Sequence, residues 1–273
     1  MKYTHFLLRV GEIFLKGKNR ALFEKKVVTN VKKITGKELK KLRFRLILDY
    51  FEGENRLKNV FGLTSYSPAV KVEQNLEEIK KQALELMKGK EGSFRIETKR
   101  ADKTFSLKSP EINAEVGAFI ENNSNLVFDL IHFDHKLNIE INREGAYLFL
   151  DTVKCFGGLP VGVSESVVLL IDKEESILAG LLFMKRGCHV FPVSFSEQDI
   201  SLLQKFSPIK LNLKIVQDLS EIEKYGQEKG IKVMAVGDTF ENLNNYSSEM
   251  VVMKPLIGYD EKKIKEELER FRF

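Results

Sequence analysis

The sequence predicts a mixed protein of the α/β and α+β classes, built from three consecutive domains at residues 1–74, 75–158 and 159–273. Three observations carry this prediction. Strand-like segments alternate with amphipathic helical segments along the whole chain. Three later segments (VVLL, VMAV and MVVM) are apolar runs of the kind that parallel sheets bury on both faces. The first domain has the order β-α-β-β-α-β, which is the ferredoxin-like arrangement.

The composition is that of a globular protein. With 43% hydrophobic and 30% charged residues, the chain is neither fibrous nor disordered. No apolar run approaches the ~18 residues that span a bilayer, so no membrane partner is expected. The two cysteines, Cys155 and Cys188, are too few for a disulfide framework. A cytoplasmic location is the expectation.

The positive charge is concentrated at the N-terminal end. Residues 1–74 contain 17 Lys and Arg against 7 Asp and Glu, whereas 75–158 contain 12 against 14 and 159–273 contain 15 against 18. This asymmetry predicts a polyanionic partner that binds near the first domain. The alternative is a lysine-rich surface that is only solvated.

The first domain is predicted to contain strands at 3–10, 42–50 and 69–72 and helices at 20–34 and 55–60. Alternation in 42–50 predicts one buried face, with Phe44, Leu46 and Leu48, and one exposed face with Arg43 and Arg45.

Basic residues surround the start of the first helix. The turn GEIFLKGKNRALFE places Lys16, Lys18 and Arg20 beside the free backbone N–H groups of a helix N-terminus, a combination that favours phosphate. The alternative is that Gly11 and Gly17 only shape the turn and the basic side chains are solvated.

The second domain is predicted to contain helices at 76–87 and from 109, and strands at 93–99, 137–142 and 146–152, the last two joined as a hairpin. In the segment KRADKTFSLKS, basic residues surround Phe105, a pattern that suits RNA phosphates with base stacking. The alternative is that Phe105 packs into the core. His132 and His135, in HFDH, have a spacing open to a metal, but no further ligand is evident, so no metal site is predicted.

The third domain is predicted to hold strands at 167–171, 188–194, 210–216, 231–236 and 250–253, with helices directly after the first strand, at 220–229 and at 261–271. A strand that turns directly into a helix is where α/β proteins place phosphates. Here the turn is Asp172-Lys173-Glu174-Glu175-Ser176, with three carboxylates and no glycine. The architecture indicates a nucleotide site, and the chemistry of the loop argues against one.

Several motifs, in matching order, resemble those of the tRNA 4-thiouridine synthetases, sulfurtransferases that are also tied to thiazole formation in thiamine biosynthesis. GEIFLKGKNRALFE is similar to the opening of that family's ferredoxin-like domain, and FRIETKRADKTFSLKSPEINAEVGAFI to its THUMP domain core. GGLPVGV and MKRGC resemble the entry to its pyrophosphatase domain, and VGDTFENL and KPLIGYDEKKI its closing elements. The resemblance implies that the third domain is a truncated, Rossmann-like sheet domain related to adenine nucleotide alpha-hydrolases.

The resemblance also implies a division of labour. In that family the first two domains hold the tRNA acceptor region. A Ser-Gly-Gly-x-Asp-Ser loop in the third binds ATP and adenylates a uridine oxygen, which sulfur then displaces. That loop aligns with Ile171, Asp172, Lys173, Glu174, Glu175 and Ser176. Here both glycines are replaced, and each uncompensated contact of a carboxylate with a phosphate costs about 4 kcal/mol at ~4 Å and an effective dielectric of ~20. The family's catalytic cysteine lies beyond the closing element or in an added domain, and this sequence has no cysteine after Cys188.

The expectation is therefore an RNA-binding relative without ATP-dependent adenylation, with no catalytic residue, cofactor or metal. It is expected to bind tRNA, or a similar RNA helix end, through Lys16, Lys18, Arg20, Lys99, Arg100, Lys103 and Lys108. Two alternatives stay open. One is an active sulfurtransferase that uses ATP and Mg²⁺ with a divergent loop or a partner's cysteine. The other is a non-catalytic scaffold for a separate catalytic or sulfur-donor protein. A homodimer is also left open.

Overall fold

The computed structural model describes residues 2–11, 17–42 and 45–272. Contacts divide the chain into two compact units. Unit 1 comprises Met1–Arg9, Glu38–Glu52 and Ser65–Lys154, and unit 2 comprises Val10–Lys37, Gly53–Thr64 and Cys155–Phe273.

The helices of the described residues are α1 (Arg20–Thr35), α2 (Leu76–Met87), α3 (Ser109–Asn122), α4 (Glu175–Lys185), α5 (Ser201–Phe206), α6 (Leu219–Lys229) and α7 (Glu261–Arg272). The strands are β1 (His5–Val10), β2 (Leu39–Leu42), β3 (Arg45–Asp49), β4 (Leu63–Val72), β5 (Ser93–Arg100), β6 (Val127–Phe128), β7 (His135–Asn142), β8 (Gly145–Phe149), β9 (Val153–Lys154), β10 (Val167–Leu170), β11 (Val190–Ser194), β12 (Lys214–Ile215), β13 (Val233–Ala235) and β14 (Val251–Met253). Short 3-10 helices span Gly17–Asn19 and Glu54–Asn59.

Unit 1 is built on a mixed sheet. Its strands lie in the order β2-β3-β1-β4-β8-β7-β5-β6, and β9 pairs with β4. The helices α2 and α3 pack their apolar sides, with Ile79 and Val116, against Phe94 and Ile96 of β5 and Ile139 of β7. Since strand side chains alternate between faces, Arg95, Glu97 and Lys99 of β5 and Lys136 and Glu140 of β7 lie on the face opposite these helices.

The helix α2 has the bounds that its sequence predicts. Asn75 caps its N-terminus, because the Asn75 side chain accepts hydrogen bonds from the backbone N–H groups of Glu77 (2.8 Å) and Glu78 (3.2 Å). Ile79, Ala83 and Leu86 on one side of the helix are buried. The Asn75 cap and the apolar period therefore support the same helix bounds.

Unit 2 contains a parallel sheet in the order β12-β11-β10-β13-β14, which confirms the predicted parallel arrangement. The chain runs outward from β10 through β11 to β12, then returns to β13 on the other side of β10. The carboxyl ends of β10 and β13 therefore meet where the strand order reverses, which is where open α/β sheets bind ligands. The apolar side of α4, including Leu178 and Leu181, packs against Leu169.

The strand β3 departs from the sequence prediction. Leu46, Ile47 and Leu48 are all buried, whereas alternation predicted one buried face. The second face is covered because Ile47 packs with Leu7 and Tyr147 in a separate apolar cluster. Arg43 and Phe44 lie outside the described residues. The short elements β2, β6, β9 and α5 were not predicted either.

Within the described ranges, none of the helices combines the length and the apolarity that crossing a bilayer requires. In the same ranges, no group of three or more His, Cys, Asp and Glu side chains is placed to hold a metal ion.

Candidate functional site

A basic groove of about 790 Å³ opens on unit 1. It is bounded by the segment that leaves β5, the end of β7 with its hairpin turn, and the β2–β3 region. Its charged lining in the described residues consists of Lys41, Arg45, Lys99, Arg100, Lys103, Arg143, Asp102 and Glu140. Six cations against two carboxylates favour a polyanionic ligand.

The loop beside the groove is held by its own side chains. The Arg100 guanidinium Nη1 donates hydrogen bonds to the carbonyl oxygens of Phe105 (3.1 Å) and Leu107 (2.6 Å). Asp102 accepts from the backbone N–H of Thr104 (2.9 Å) and from its hydroxyl (2.7 Å). These contacts keep Lys103, which is exposed, at the groove. Arg100 thus shapes the loop as well as contributing charge.

Phe105 packs against the apolar cluster beneath α2 and α3 and is half-buried. This is the alternative that the sequence left open. A ring in that position contributes to the core, so base stacking in the groove does not depend on it.

A buried carboxylate lies under the groove. Glu140 accepts two hydrogen bonds from the Arg45 guanidinium, at 2.8 and 2.9 Å, and its Oε1 lies 3.5 Å from Arg9 Nη2. The two oxygens of Glu140 and the planar Arg45 guanidinium form the bidentate geometry that fixes both groups. Glu140 therefore orients Arg45 in the groove wall.

The predicted RNA-binding residues fall into separate groups. Lys99, Arg100 and Lys103 line the groove together. Lys108 is exposed immediately before α3 and is not among the lining residues. Lys16, Lys18 and Arg20 belong to the range of unit 2: Lys18 is exposed, Arg20 Nε donates to Glu24 at 2.6 Å, and Lys16 lies outside the described residues.

Three groove cations were missed by the sequence reasoning: Lys41, Arg45 and Arg143. Arg143 could have been identified from the sequence, because it lies in the predicted hairpin turn between β7 and β8, where a side chain is expected to be exposed. For Lys41 and Arg45 the sequence gave only the general excess of positive charge in residues 1–74, since the sheet order is what brings β2 and β3 to the groove.

The second candidate site is the turn from β10 into α4 in unit 2. Ile171 is buried and donates its N–H to the carbonyl of Val193 at 2.8 Å. The N–H groups of Ser176 and Ile177 donate to the carbonyls of Lys173 (3.1 Å) and Glu174 (3.0 Å). A phosphate-binding turn directs such N–H groups at its ligand, whereas here two of them are used inside the turn.

A buried carboxylate also faces this turn. Asp238 follows β13, is 0% exposed, and lies 3.6 Å from Lys173 Nζ and 3.1 Å from Lys254 Nζ. It accepts from the Tyr246 hydroxyl (3.1 Å) and the Asn244 backbone N–H (2.9 Å). Burial acts to raise the pKa of Asp238, but the hydrogen bonds from Asn244, Lys254 and Tyr246 outweigh it and hold that pKa below its ordinary value.

The two loops at the carboxyl ends of β10 and β13 are in close contact. A Cβ atom at Gly237 would lie 2.6 Å from the Ser176 backbone N, so only glycine fits there. Lys173 Nζ donates to Asn242 Oδ1 at 3.0 Å, and Glu174 pairs with Arg272 at 2.5 Å. Lys173, which replaces one of the expected glycines, and Glu174 are thus engaged with neighbouring parts of unit 2, whereas Asp172, which replaces the other glycine, accepts from the Ser176 hydroxyl within the turn at 2.8 Å.

Two family models match this chain: the ThiI ferredoxin-like domain over residues 5–67 and the THUMP domain over residues 73–151. A "Probable tRNA sulfurtransferase" of Thermoanaerobacter sp. (strain X514) is 34% identical, over 94% of this chain and 83% of its own length. The chain belongs to the tRNA sulfurtransferase family. The predicted resemblance is therefore confirmed.

Two solved structures resemble this tRNA sulfurtransferase family member over 99% of its length. PH1313 from Pyrococcus horikoshii Ot3 has a TM-score of 0.87 at 32% identity, with all of that chain covered. A 4-thiouridine synthetase, crystallised as an RNA complex with bound ATP, has a TM-score of 0.85 at 28% identity, with 85% of that chain covered. These matches confirm the predicted fold class: a ferredoxin-like domain, a THUMP domain and a parallel-sheet domain.

Three further proteins named "Probable tRNA sulfurtransferase" are 38 to 40% identical over 71% of this chain and 52% of their own length. The chain thus spans about half the length of these curated relatives.

The two thiols of this sulfurtransferase family member are sheltered. Burial raises the pKa of Cys155 to about 12, and the Cys155 thiol points at the carbonyl oxygen of Leu57. Burial also raises the pKa of Cys188, with a further contribution from Glu165. Because the thiolate is the nucleophile in sulfur chemistry, neither environment activates a cysteine.

Proposed function

We propose that this chain is a cytoplasmic RNA-binding protein that holds tRNA, or a tRNA-like helix end, on unit 1 and does not use ATP to adenylate it. The observation that carries the proposal is the basic groove, with six cations around a volume of about 790 Å³. The 4-thiouridine synthetase that this chain resembles was solved with RNA, which supports the same class of ligand here.

Phosphate contacts explain how such a groove holds RNA. Each contact of a lysine or arginine with a phosphate releases bound counterions, so affinity falls as salt rises, with a slope of about −0.7 to −0.9 per contact in a plot of log K against log salt. Lys99 and Lys103 are exposed in the groove and contact the phosphates in this proposal.

Lys99→Ala/Lys103→Ala is expected to weaken tRNA binding about tenfold or more at ~0.1 M salt and to reduce the magnitude of the salt slope by about 1.4 to 1.8. Fluorescence anisotropy with labelled tRNA over a salt series measures both quantities. Lys81→Ala/Lys88→Ala is the matched control, because it removes the same charge from exposed positions of α2 and the residue after it. Equal affinity of the wild type and the groove variant contradicts the proposal.

The residues at the end of β10 do not fit the phosphates of ATP. Asp172, Glu174 and Glu175 bring negative charge to the turn, and Lys173 is already engaged with Asp238 and Asn242. The N–H groups of Ser176 and Ile177 are used within the turn. Repulsion and the loss of these donors act in the same direction, against nucleotide binding.

Calorimetric titration of the protein with ATP and Mg²⁺ is expected to show no binding at nucleotide concentrations up to about 0.1 mM, which corresponds to a binding free energy weaker than about −5.5 kcal/mol. The same sample is then titrated with tRNA to show that it is folded and competent. Micromolar affinity for ATP contradicts the proposal that the protein does not use ATP, and it favours the active sulfurtransferase. The proposal that unit 1 binds RNA is unaffected by that result.

A further inference from the structure

Two cation-bearing segments of the groove meet at an uncharged side chain. One segment is the loop after β5, which carries Lys103, and the other is the hairpin turn after β7, which carries Arg143. Both cations are exposed, and their like charges repel each other, so neither packing nor electrostatics fixes their spacing. Gln74 lies in the short connection between β4 and α2 and joins the two segments.

The Gln74 amide forms a hydrogen-bonded bridge. Its Nε2 donates to Asp102 Oδ2 at 3.2 Å and also to the carbonyl oxygen of Asn142. A carboxylate and a carbonyl only accept hydrogen bonds, so the two N–H groups of one amide match this pair of partners. Asp102 and Asn142 directly precede Lys103 and Arg143 in the chain. The bridge therefore fixes the backbone beside both cations.

Asp102 passes this constraint on to the loop. It is 8% exposed and accepts from the backbone N–H of Thr104 at 2.9 Å and from its hydroxyl at 2.7 Å. The two bonds from Thr104, followed by the one from Gln74, hold the pKa of Asp102 below its ordinary value, so the acceptor is ionised at neutral pH. Because a carboxylate repels a polyanion, its presence in the groove lining is explained by the loop that it holds.

The other side of the loop is held by Arg100. Its Nη1 donates to the carbonyl oxygens of Phe105 (3.1 Å) and Leu107 (2.6 Å), and both of these side chains pack against the apolar cluster beneath α2 and α3. The backbone is thus fixed before Lys103 through Asp102 and after it through Arg100. Gln74 is the link that ties this ordered loop to the hairpin turn.

We propose that Gln74 is a positioning residue of the groove, which sets the spacing of Lys103 and Arg143 for phosphates of the bound RNA without contacting the RNA itself. This inference rests on the proposed RNA-binding function. Its physical basis is preorganisation, because loops that are ordered before the ligand arrives lose less conformational entropy on binding. Among the described residues that line the groove, Gln74 does not appear.

Gln74→Ala is expected to weaken tRNA binding about fivefold at ~0.1 M salt, although it removes no charge. In the background Lys103→Ala/Arg143→Ala, the same substitution is expected to leave the affinity unchanged, because the cations that it positions are gone. Fluorescence anisotropy with labelled tRNA measures the four affinities. This coupling separates a positioning role from a loss of folded protein, which lowers the binding-competent fraction in both backgrounds.

Gln82→Ala is the matched control, because it removes the same side chain from α2 and is expected to bind like the wild type. A second measurement uses the wild-type protein without RNA, so it does not depend on how the variants fold. The backbone N–H of Thr104, which donates to Asp102, is expected to exchange with solvent deuterium at least about tenfold more slowly than in an unstructured peptide.

Three results overturn the inference. They are wild-type affinity in Gln74→Ala, equal weakening by Gln74→Ala in both backgrounds, and unprotected exchange at Thr104 in the free wild type. If Lys99→Ala/Lys103→Ala nevertheless weakens tRNA binding, the groove proposal stands and the inference alone fails. If that variant binds tRNA like the wild type, the groove proposal is wrong and the positioning role fails with it.

Discussion

Replacing Asp238 with alanine is expected to lower the free energy of unfolding by about 3 kcal/mol, the lower end of the cost of breaking a buried ion pair. The carboxylate is 0% exposed and has two ammonium partners, Lys173 and Lys254, whose side chains are 22% and 23% exposed. Its removal leaves two neighbouring cations without their shared counterion. Because both lysines reach solvent, part of the loss is recovered by hydration.

Urea denaturation followed by circular dichroism measures this change through the transition midpoint. Glu241→Gln removes a carboxylate from the same loop at an exposed position and is expected to change stability by less than about 0.5 kcal/mol. If the two variants are equally stable, the network does not hold the loops at the ends of β10 and β13 together.

The pH dependence has a defined sign. Since the pKa of Asp238 is lower in the folded state than its ordinary value, its stabilisation is present above about pH 4 and is lost as the pH falls through the lower, folded value. The wild type is therefore expected to lose more stability than Asp238→Asn on acidification below about pH 4. The difference between the two proteins is expected to be constant between pH 5 and 7.

Local signals predicted the elements of this fold well where capping and periodicity coincide. α2 was predicted at its observed bounds from its apolar period and from Gly89, and the Asn75 cap seen in the structure agrees with those bounds. The hairpin between β7 and β8 was predicted for the same reason, and its register pairs Asn142 with Gly145. Short edge elements were missed, since β2 has the sequence LKKL and only its pairing with β3 makes it a strand.

The candidate sites were less predictable because they depend on distant partners. Lys173 and Asp238 are 65 positions apart, and their contact requires the reversal of strand order beside β10. The sequence predicted that the loop lacks a phosphate cradle but gave no indication of what the substituted side chains do. In the structure, Lys173 contributes its charge to a network within unit 2.

The candidate site of unit 1 also depends on contacts between residues that are distant in the sequence. Arg9, Arg45 and Glu140 come from three strands that the sequence separates by up to 131 positions, and the sheet order brings them together beneath the groove. Arg100 shows that a residue's charge can be predicted while its contacts cannot. The sequence identified its positive charge as a candidate for RNA binding, but it did not predict the two hydrogen bonds that Arg100 donates to backbone carbonyls.

Glu140→Ala is expected to destabilise the protein by about 3 kcal/mol, whereas Glu115→Ala is expected to cost less than about 1 kcal/mol. Both carboxylates have a cationic partner at about the same distance: Arg45 at 2.8 Å from Glu140, and Lys80 at 2.9 Å from Glu115. They differ in burial, since the side chain of Glu140 is 12% exposed and that of Glu115 is 53% exposed.

The two substitutions differ because each leaves its cationic partner in a different environment. Without Glu140, the Arg45 and Arg9 guanidinium groups remain partly buried beside each other, so desolvation and repulsion are no longer compensated. In Glu115→Ala, Lys80 keeps its contact with Glu77, so its charge remains compensated. Glu140→Gln retains a hydrogen-bond acceptor and is expected to lie between the two. Urea denaturation of the three variants tests this order, and an equal cost for Glu140→Ala and Glu115→Ala contradicts it.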